Sequence, residues 1–156
     1  MGFKGWGGSQ FKYGNKKTSY NGILFDSTVE RDRYRYLEFQ LRNGEISGLR
    51  VQHRFVILPQ VIKIVPTQLK TKIRYDKKVV ESAAHYTCDM VYRENDRYVV
   101  EDVKSDYARK ASRDYPLRRH RMVEIIQEHN KKGRGQWIFR ESVLVDGKLI
   151  IKDYEP

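Results

Sequence analysis

The chain has 156 residues, with 31 Lys or Arg against 20 Asp or Glu, so its formal net charge of +11 favours a polyanionic partner. No apolar run approaches the roughly 18 residues that span a bilayer, and the N-terminus has no apolar signal core; we therefore expect neither a transmembrane nor a secreted protein. The single cysteine, Cys88, excludes an internal disulfide and a cysteine-rich zinc site, and it favours an intracellular location.

The N-terminal residues 1–17 are rich in glycine and aromatic residues and show no periodicity. They predict a flexible basic arm, and residues 18–156 predict one domain. Within that domain, Asn21-Gly22 separates two short apolar stretches, a pattern typical of a two-residue β-hairpin turn.

A helix is predicted to begin after Ser27, because Ser27 and Glu30 have the spacing of a capping box. Gly44 follows its last turn. The next segment, 48–58, alternates apolar and polar residues and predicts a single strand.

The following segment, 59–84, is harder to interpret. Pro59 and Pro66 bracket a β-rich stretch, and residues 70–78 predict a basic, exposed excursion. Two further strands are then predicted at 86–92 and 98–104, with a polar turn between them.

The second long helix is predicted to begin near Asp114 or Tyr115 and to end at Gly133. A strand over 136–141 and a hairpin turning at Asp146-Gly147 complete the chain. This mixture of helices and strands, without an internal repeat, predicts an α/β fold with a mixed sheet flanked by helices.

The excess positive charge is concentrated in two stretches. Residues 1–25 contain four lysines and no acid, and residues 104–140 contain eleven basic residues against four acids. Because aromatic residues are interleaved with them, we expect nucleic-acid binding rather than a merely solvated surface. The candidate DNA-binding residues are Lys16, Lys17, Arg109, Lys110, Arg113, Arg118, Arg119 and Arg121.

Two carboxylates are predicted to face one another across the hairpin formed by the strands at 86–92 and 98–104. If it turns between Asn95 and Asp96, Asp89 lies opposite Asp102, and Lys104 shares their face. Facing carboxylates destabilise a hairpin unless a cation lies between them, and hard oxygen ligands suit Mg²⁺. The alternative is a surface hairpin whose acids face water.

Glu30 is the third candidate carboxylate, because helical spacing places it on the core-facing stripe of the first helix. Its simpler interpretation is a capping residue that bonds to the Ser27 amide. The two roles are compatible at a helix end that points toward a metal site. Glu101, on the opposite strand face from Asp102, is expected to support the site residues indirectly or to be a structural acid.

These residues, in this order, resemble the motifs of the PD-(D/E)XK nuclease superfamily: Glu30 on the first helix, Asp89 on a strand, then Asp102-Val103-Lys104. Size and acid order are similar to those of phage-encoded, archaeal-type Holliday junction resolvases and, more distantly, RecU resolvases. Cys88 departs from the proline of the superfamily name, at a position known to vary. The resemblance covers roughly residues 18–140 and implies a restriction-endonuclease-like core.

The resemblance implies a Mg²⁺-dependent structure-specific DNA endonuclease, with Mn²⁺ as a substitute ion. Glu30, Asp89, Asp102 and Lys104 would be catalytic; Asp89, Asp102, Glu30 and the Val103 carbonyl would hold the metal. It also implies a homodimer that acts on four-way junctions during phage recombination or replication, in the host cytoplasm or nucleoid. The alternatives are another phage nuclease of the same fold, acting on duplex or single strands, and a non-catalytic DNA-binding protein.

Overall fold

The structure, a computed structural model, describes residues 16–155. Most of the predicted arm, residues 1–15, therefore lies outside the described residues. The chain forms eleven strands and three helices within that range. The strands are β1 Thr18–Tyr20, β2 Ile23–Phe25, β3 Ile46–Val51, β4 Arg54–Leu58, β5 Val61–Gln68, β6 Ile73–Glu81, β7 Ala84–Thr87, β8 Met90–Glu94, β9 Arg97–Ser105, β10 Gln136–Val145 and β11 Lys148–Tyr154. The helices are α1 Thr28–Arg42, α2 Asp106–Ala111 and α3 Tyr115–Lys131.

A mixed five-stranded sheet forms the centre of an α/β fold, as the sequence predicts. Its strand order is β11-β10-β9-β8-β3. β9 and β10 run parallel, and the other neighbours are antiparallel. The remaining strands form three separate two-stranded pairs, β1 with β2, β4 with β7 and β5 with β6.

The two faces of the sheet carry two cores, because alternate residues of β9 project to opposite sides. Val99 and Val103 pack with Leu37 of α1 on one face. Val100 packs with Met122 and Ile126 of α3 on the other. The sheet is therefore covered by α1 on one side and by α3 on the other.

Two strands that the alternating pattern predicts as continuous are broken in the structure. The predicted strand at 48–58 divides at Gln52, whose φ of 51° is left-handed. The Gln52 amide there donates to the Asp89 carbonyl (2.9 Å), and its side chain donates to the Leu24 carbonyl (2.7 Å). The predicted strand at 86–92 divides at the same level, between β7 and β8. The alternating pattern continues through the first break because β4 also buries alternate residues, Phe55 and Ile57.

Other boundaries also differ from the prediction. Pro66 lies inside β5, opposite Tyr75, and does not bracket a segment. The short helix α2 has no apolar periodicity and was not predicted. β10 continues past residue 141 to Val145. The predicted turns are confirmed: Asn21, Asn95 and Asp146 all adopt positive φ.

The hairpin between β5 and β6, called the ribbon below, pairs with no third strand in the described part of the chain. It extends the β4–β7 pair, since Leu58 lies opposite Ala84 and Val61 lies opposite Glu81. β7 leads directly to Asp89. Between Lys16 and Glu155, no helix has both the length and the apolar character needed to cross a membrane.

Candidate functional site

The hairpin register brings Asp89 and Asp102 together as the sequence predicts. Met90 pairs with Glu101 in the antiparallel β8–β9 ladder, so Asp89 and Asp102 occupy the next positions. Asp89 lies just outside β8, and its amide donates to the Glu101 carbonyl (3.1 Å). Its carboxylate turns toward β9, where Oδ2 accepts a hydrogen bond from the Val103 amide (2.6 Å). The structure thus ties Val103 to the site through its amide.

Asp102 is 2% exposed, and its two carboxylate oxygens have different partners. Oδ1 accepts a hydrogen bond from the Tyr86 hydroxyl (2.7 Å). Oδ2 forms an ion pair with Lys104 Nζ at 2.8 Å and has no other polar partner among the described residues. An ion pair with one ammonium group does not use every lone pair of a carboxylate oxygen, so Oδ2 can still bind a further ligand.

Glu30 lies in the first turn of α1 and serves as a capping residue. The Ser27 hydroxyl accepts from the Glu30 amide (3.1 Å), but Glu30 Oε2 accepts from the Asp26 amide (3.2 Å) and not from the Ser27 amide that the capping box predicts. The same carboxylate borders the pocket that contains Asp89 and Asp102. Burial raises the pKa of Glu30 to about 7, and the negative charges of Asp26 and Asp102 add to this rise.

A pocket of about 280 Å³ connects these groups. Its polar lining comes from α1, β7, β9 and the segment around the start of α3. The charged lining residues are Asp26, Glu30, Asp89, Asp102, Asp114, Lys104 and Arg118. Carboxylates therefore outnumber cations in the pocket, although the chain as a whole is strongly basic.

The electrostatics of this pocket favour an added cation. Burial, with the charges of Asp102 and Glu30, raises the pKa of Asp89 well above its usual range. Burial alone would lower the pKa of Lys104, but the carboxylates of Asp102 and Asp89 outweigh that effect and raise it. Lys104 is consequently charged at neutral pH, while the acids repel one another.

The residues present fit a hard divalent ion such as Mg²⁺. Asp102 contributes an oxygen whose one polar partner among the described residues is Lys104, and the oxygens of Asp89 and Glu30 have the same hard character. Within residues 16–155, no three acidic, histidine or cysteine side chains lie close enough to form a complete cage. Mg²⁺ usually retains several waters, so two carboxylates suffice to hold it.

Glu101 is the structural acid that the alternation of β9 predicts. It is completely buried on the α1 face and accepts two hydrogen bonds from Arg33, at 2.7 and 3.3 Å. The hydroxyls of Tyr92 and Ser142 also donate to it. This network fastens α1 to the sheet and so fixes the position of Glu30 one helical turn away.

Most of the candidate DNA-binding cations lie in ion pairs. Glu141, which is 2% exposed, accepts from Arg109 (3.0 Å), Arg119 (3.0 Å) and the Tyr115 hydroxyl (2.8 Å). The other ion pairs are Lys17 with Asp26, Lys110 with Asp106, Arg118 with Asp114, and Arg121 with Glu124 and Glu128. Lys16 and Arg113 have no ion-pair partner in the described range. Their assignment to DNA stays a prediction.

Three site residues were not predicted from the sequence. Tyr86 orients Asp102, and the Tyr115 ring lies 4.5 Å from Lys104 Nζ. Asp114 borders the pocket at the start of α3 without capping the helix through its side chain. Alternation in the β7 strand could have placed Tyr86 near the site, but nothing in the local pattern marks Tyr115 or Asp114.

Residues 10–144 match the family described as "Protein of unknown function (DUF1064)", and the chain belongs to that family. No curated protein and no solved structure shows significant similarity to the chain.

Proposed function

Starting from membership of a family without an assigned function, we propose that this protein is a Mg²⁺-dependent DNA endonuclease with a restriction-endonuclease-like core. The proposal combines the PD-(D/E)XK motif order with the arrangement of Glu30, Asp89, Asp102 and Lys104 around one pocket. The basic composition of the chain supports a nucleic-acid substrate.

The convergence of Asp89, Asp102 and Glu30 on one pocket is the observation that carries the proposal. This arrangement places negative charges close together where burial makes their repulsion costly, and a bound cation removes that repulsion. A non-catalytic DNA-binding protein would gain nothing from it, because three acids around one pocket repel phosphate. The same acids attract a divalent ion, which in turn attracts phosphate.

Asp89, Asp102 and the Val103 carbonyl would hold the ion, with Glu30 bound directly or through water. When bound, such an ion supplies Lewis-acid stabilisation of charge on phosphate oxygens and a more acidic water. The ammonium of Lys104 would contact the scissile phosphate or the attacking water as a fixed positive charge. Tyr86 holds Asp102 in its orientation through the hydrogen bond to Oδ1.

A finer assignment, to a homodimeric Holliday junction resolvase, rests on the resemblance alone. Resolving a junction requires two symmetric nicks, and a two-fold dimer provides two centres at a fixed separation. A four-way junction compared with a linear duplex of the same arm sequence tests it. Preferential binding to the junction and paired nicks would support the resolvase. Equal cleavage of linear DNA by a monomer would leave only a general nuclease.

The decisive experiment compares wild type with Asp102→Asn on supercoiled plasmid and labelled duplex, in Mg²⁺ and Mn²⁺. We expect cleavage to fall by at least about a hundredfold, because an amide is a poor metal ligand. DNA binding in EDTA should persist or tighten slightly, since a repulsive charge is removed. Asp146→Asn, in an exposed turn, is the matched control and should cleave like wild type. Cleavage by Asp102→Asn at the wild-type rate would refute the proposed site.

A further inference from the structure

Among residues 16–155, the ribbon contains the largest group of cations without ion pairs. Six cations and two acids occur between residues 59 and 84. One cation, Arg74, pairs with Asp76 (2.8 Å). The five lysines, by contrast, are exposed and have no ion-pair partner within residues 16–155. They are Lys63, Lys70, Lys72, Lys77 and Lys78.

The register of the ribbon gives it two different faces. Lys63, Arg74, Asp76 and Lys78 project to one side, together with Thr67. The opposite face is largely apolar and exposed, and its members include Ile62, Ile64, Ile73, Tyr75 and Val79. A two-stranded hairpin without a third strand is only marginally stable in water, so contact of either face with a partner would stabilise it.

Two lysines lie directly opposite one another on the polar face. Lys63 pairs with Lys78 in the antiparallel ladder, and Asp76, an acid on the same face, already binds Arg74 and Thr67 (2.8 Å). Like charges facing each other across a strand pair are destabilising. An anion between the two ammonium groups would turn that repulsion into attraction.

We propose that the polar face of the ribbon binds the phosphate backbone of DNA, with Lys63 and Lys78 on either side of one DNA strand. This inference rests on the proposed function, since it identifies a substrate contact outside the catalytic pocket. The eight residues of β5 span roughly 26 Å, longer than the width of a duplex. The ribbon continues β7, whose Tyr86 and Thr87 border the catalytic pocket. It therefore contacts DNA beyond the scissile phosphate.

The test measures DNA binding to full-length Lys63→Gln/Lys78→Gln in EDTA at several salt concentrations. Each lost phosphate contact lowers the slope of log K against log salt by roughly 0.9, so we expect a drop of roughly 1.8. The probe is a 30-base-pair duplex. Lys131→Gln/Lys148→Gln removes the same charge from exposed lysines elsewhere and should lower the slope far less. An unchanged slope for the ribbon variant would overturn the inference.

Lys63→Glu separates binding from folding. It places a carboxylate opposite Lys78, so the ribbon should become slightly more stable while DNA affinity falls further than in the glutamine variant. Wild-type affinity in this variant would refute the proposed contact.

The apolar face provides a second test, since a second copy of the chain is the competing partner. Tyr75→Ser should leave the DNA salt slope unaltered if the polar face binds phosphate. If it instead converts a dimer to a monomer in sedimentation and abolishes DNA binding, the ribbon is a protein interface and the inference fails.

These binding measurements are independent of catalysis because EDTA removes divalent metal ions from the assay. Ribbon-dependent binding by a wild type that never cleaves DNA would remove the proposed function and keep the ribbon contact. If wild type cleaves DNA but the ribbon variant binds it as wild type does, the proposed function is supported and the ribbon contact is refuted.

Discussion

The arginines of α2 and α3 and the lysines of the ribbon carry charge of the same sign in opposite surroundings. Arg109 and Arg119 both donate to Glu141, a carboxylate that is itself buried. Lys63 and Lys78 lie opposite each other, are exposed and have no ion-pair partner within residues 16–155. The first pair of cations is committed to holding the helices against β10, and the second pair remains available to an external anion.

This difference shows why a count of charges along a sequence is a poor guide to a binding surface. The stretch 104–140 has the higher excess of basic residues, yet acids near in space neutralise most of the candidates there. Those acids lie far away in sequence or one helical turn along, so only the fold reveals the pairing. The ribbon has a smaller excess that the fold leaves almost unneutralised.

The largest expected effect, on the free energy of unfolding, comes from removing Glu141, the acid that Arg109 and Arg119 share. Glu141→Ala should lower the free energy of unfolding by about 3 kcal/mol, because it leaves Arg109, Arg119 and the Tyr115 hydroxyl without their partner. Asp76→Ala, which removes the ribbon's acid, should change it by less than about 0.5 kcal/mol. Urea unfolding monitored by tryptophan fluorescence measures both. Equal losses would mean that the two regions do not differ as the ion pairs indicate.

Low pH should remove the contribution of Glu141 to the free energy of unfolding. Burial opposes its ionisation, but hydrogen bonds from Tyr115 and Arg119 outweigh burial and hold its pKa below the usual 4.5. A lowered folded-state pKa stabilises the protein above the unfolded value and loses that effect as pH falls through the folded one. The stability difference between wild type and Glu141→Gln should thus be constant above about pH 5 and shrink toward pH 3. A difference that grows on acidification would contradict this assignment.

Neighbouring arginines of α3 should behave differently toward DNA. Arg118 is half exposed and pairs with an exposed acid, so its replacement by Gln should reduce the salt slope by roughly 0.9 if it contacts phosphate. Arg119 is held by Glu141, and Arg119→Gln should leave the slope unchanged. Gel shifts at four salt concentrations distinguish the two variants. A larger drop for Arg119 would show that Glu141 releases it on binding.

The smallest effect is expected within the ribbon. Asp76→Ala frees Arg74 and removes a negative charge from the polar face, so DNA affinity should rise about twofold at low salt. Asp96→Ala, in the exposed β8–β9 turn, removes a similar acid as a control and should have no such effect. Fluorescence anisotropy is sensitive enough for this comparison. A weaker complex for Asp76→Ala would place the polar face away from the DNA.

The sequence predicts the turns and the strand register of Asp89 and Asp102 well because both depend on local chemistry. Asn95 adopts the left-handed conformation that a two-residue turn needs, and this fixes Asp89 and Asp102 at adjacent positions. The interruptions at Gln52 and Asp89 could not be predicted, since their hydrogen bonds join chain segments that are distant in sequence. The roles of Tyr115 and Glu141 depend on the docking of α3 against β10, which no local pattern specifies.

Cys88 gives the molecule a practical property. Its thiol lies completely buried in the core that α3 covers, and burial, together with Asp89 and Asp102, raises its pKa far above the usual range. Alkylating reagents attack the thiolate, so they should leave the folded native chain unmodified. Thr71→Cys, at the exposed tip of the ribbon, would then introduce the only reactive thiol. A spin label or fluorophore attached there would report the ribbon's distance from a labelled DNA end without removing the natural cysteine.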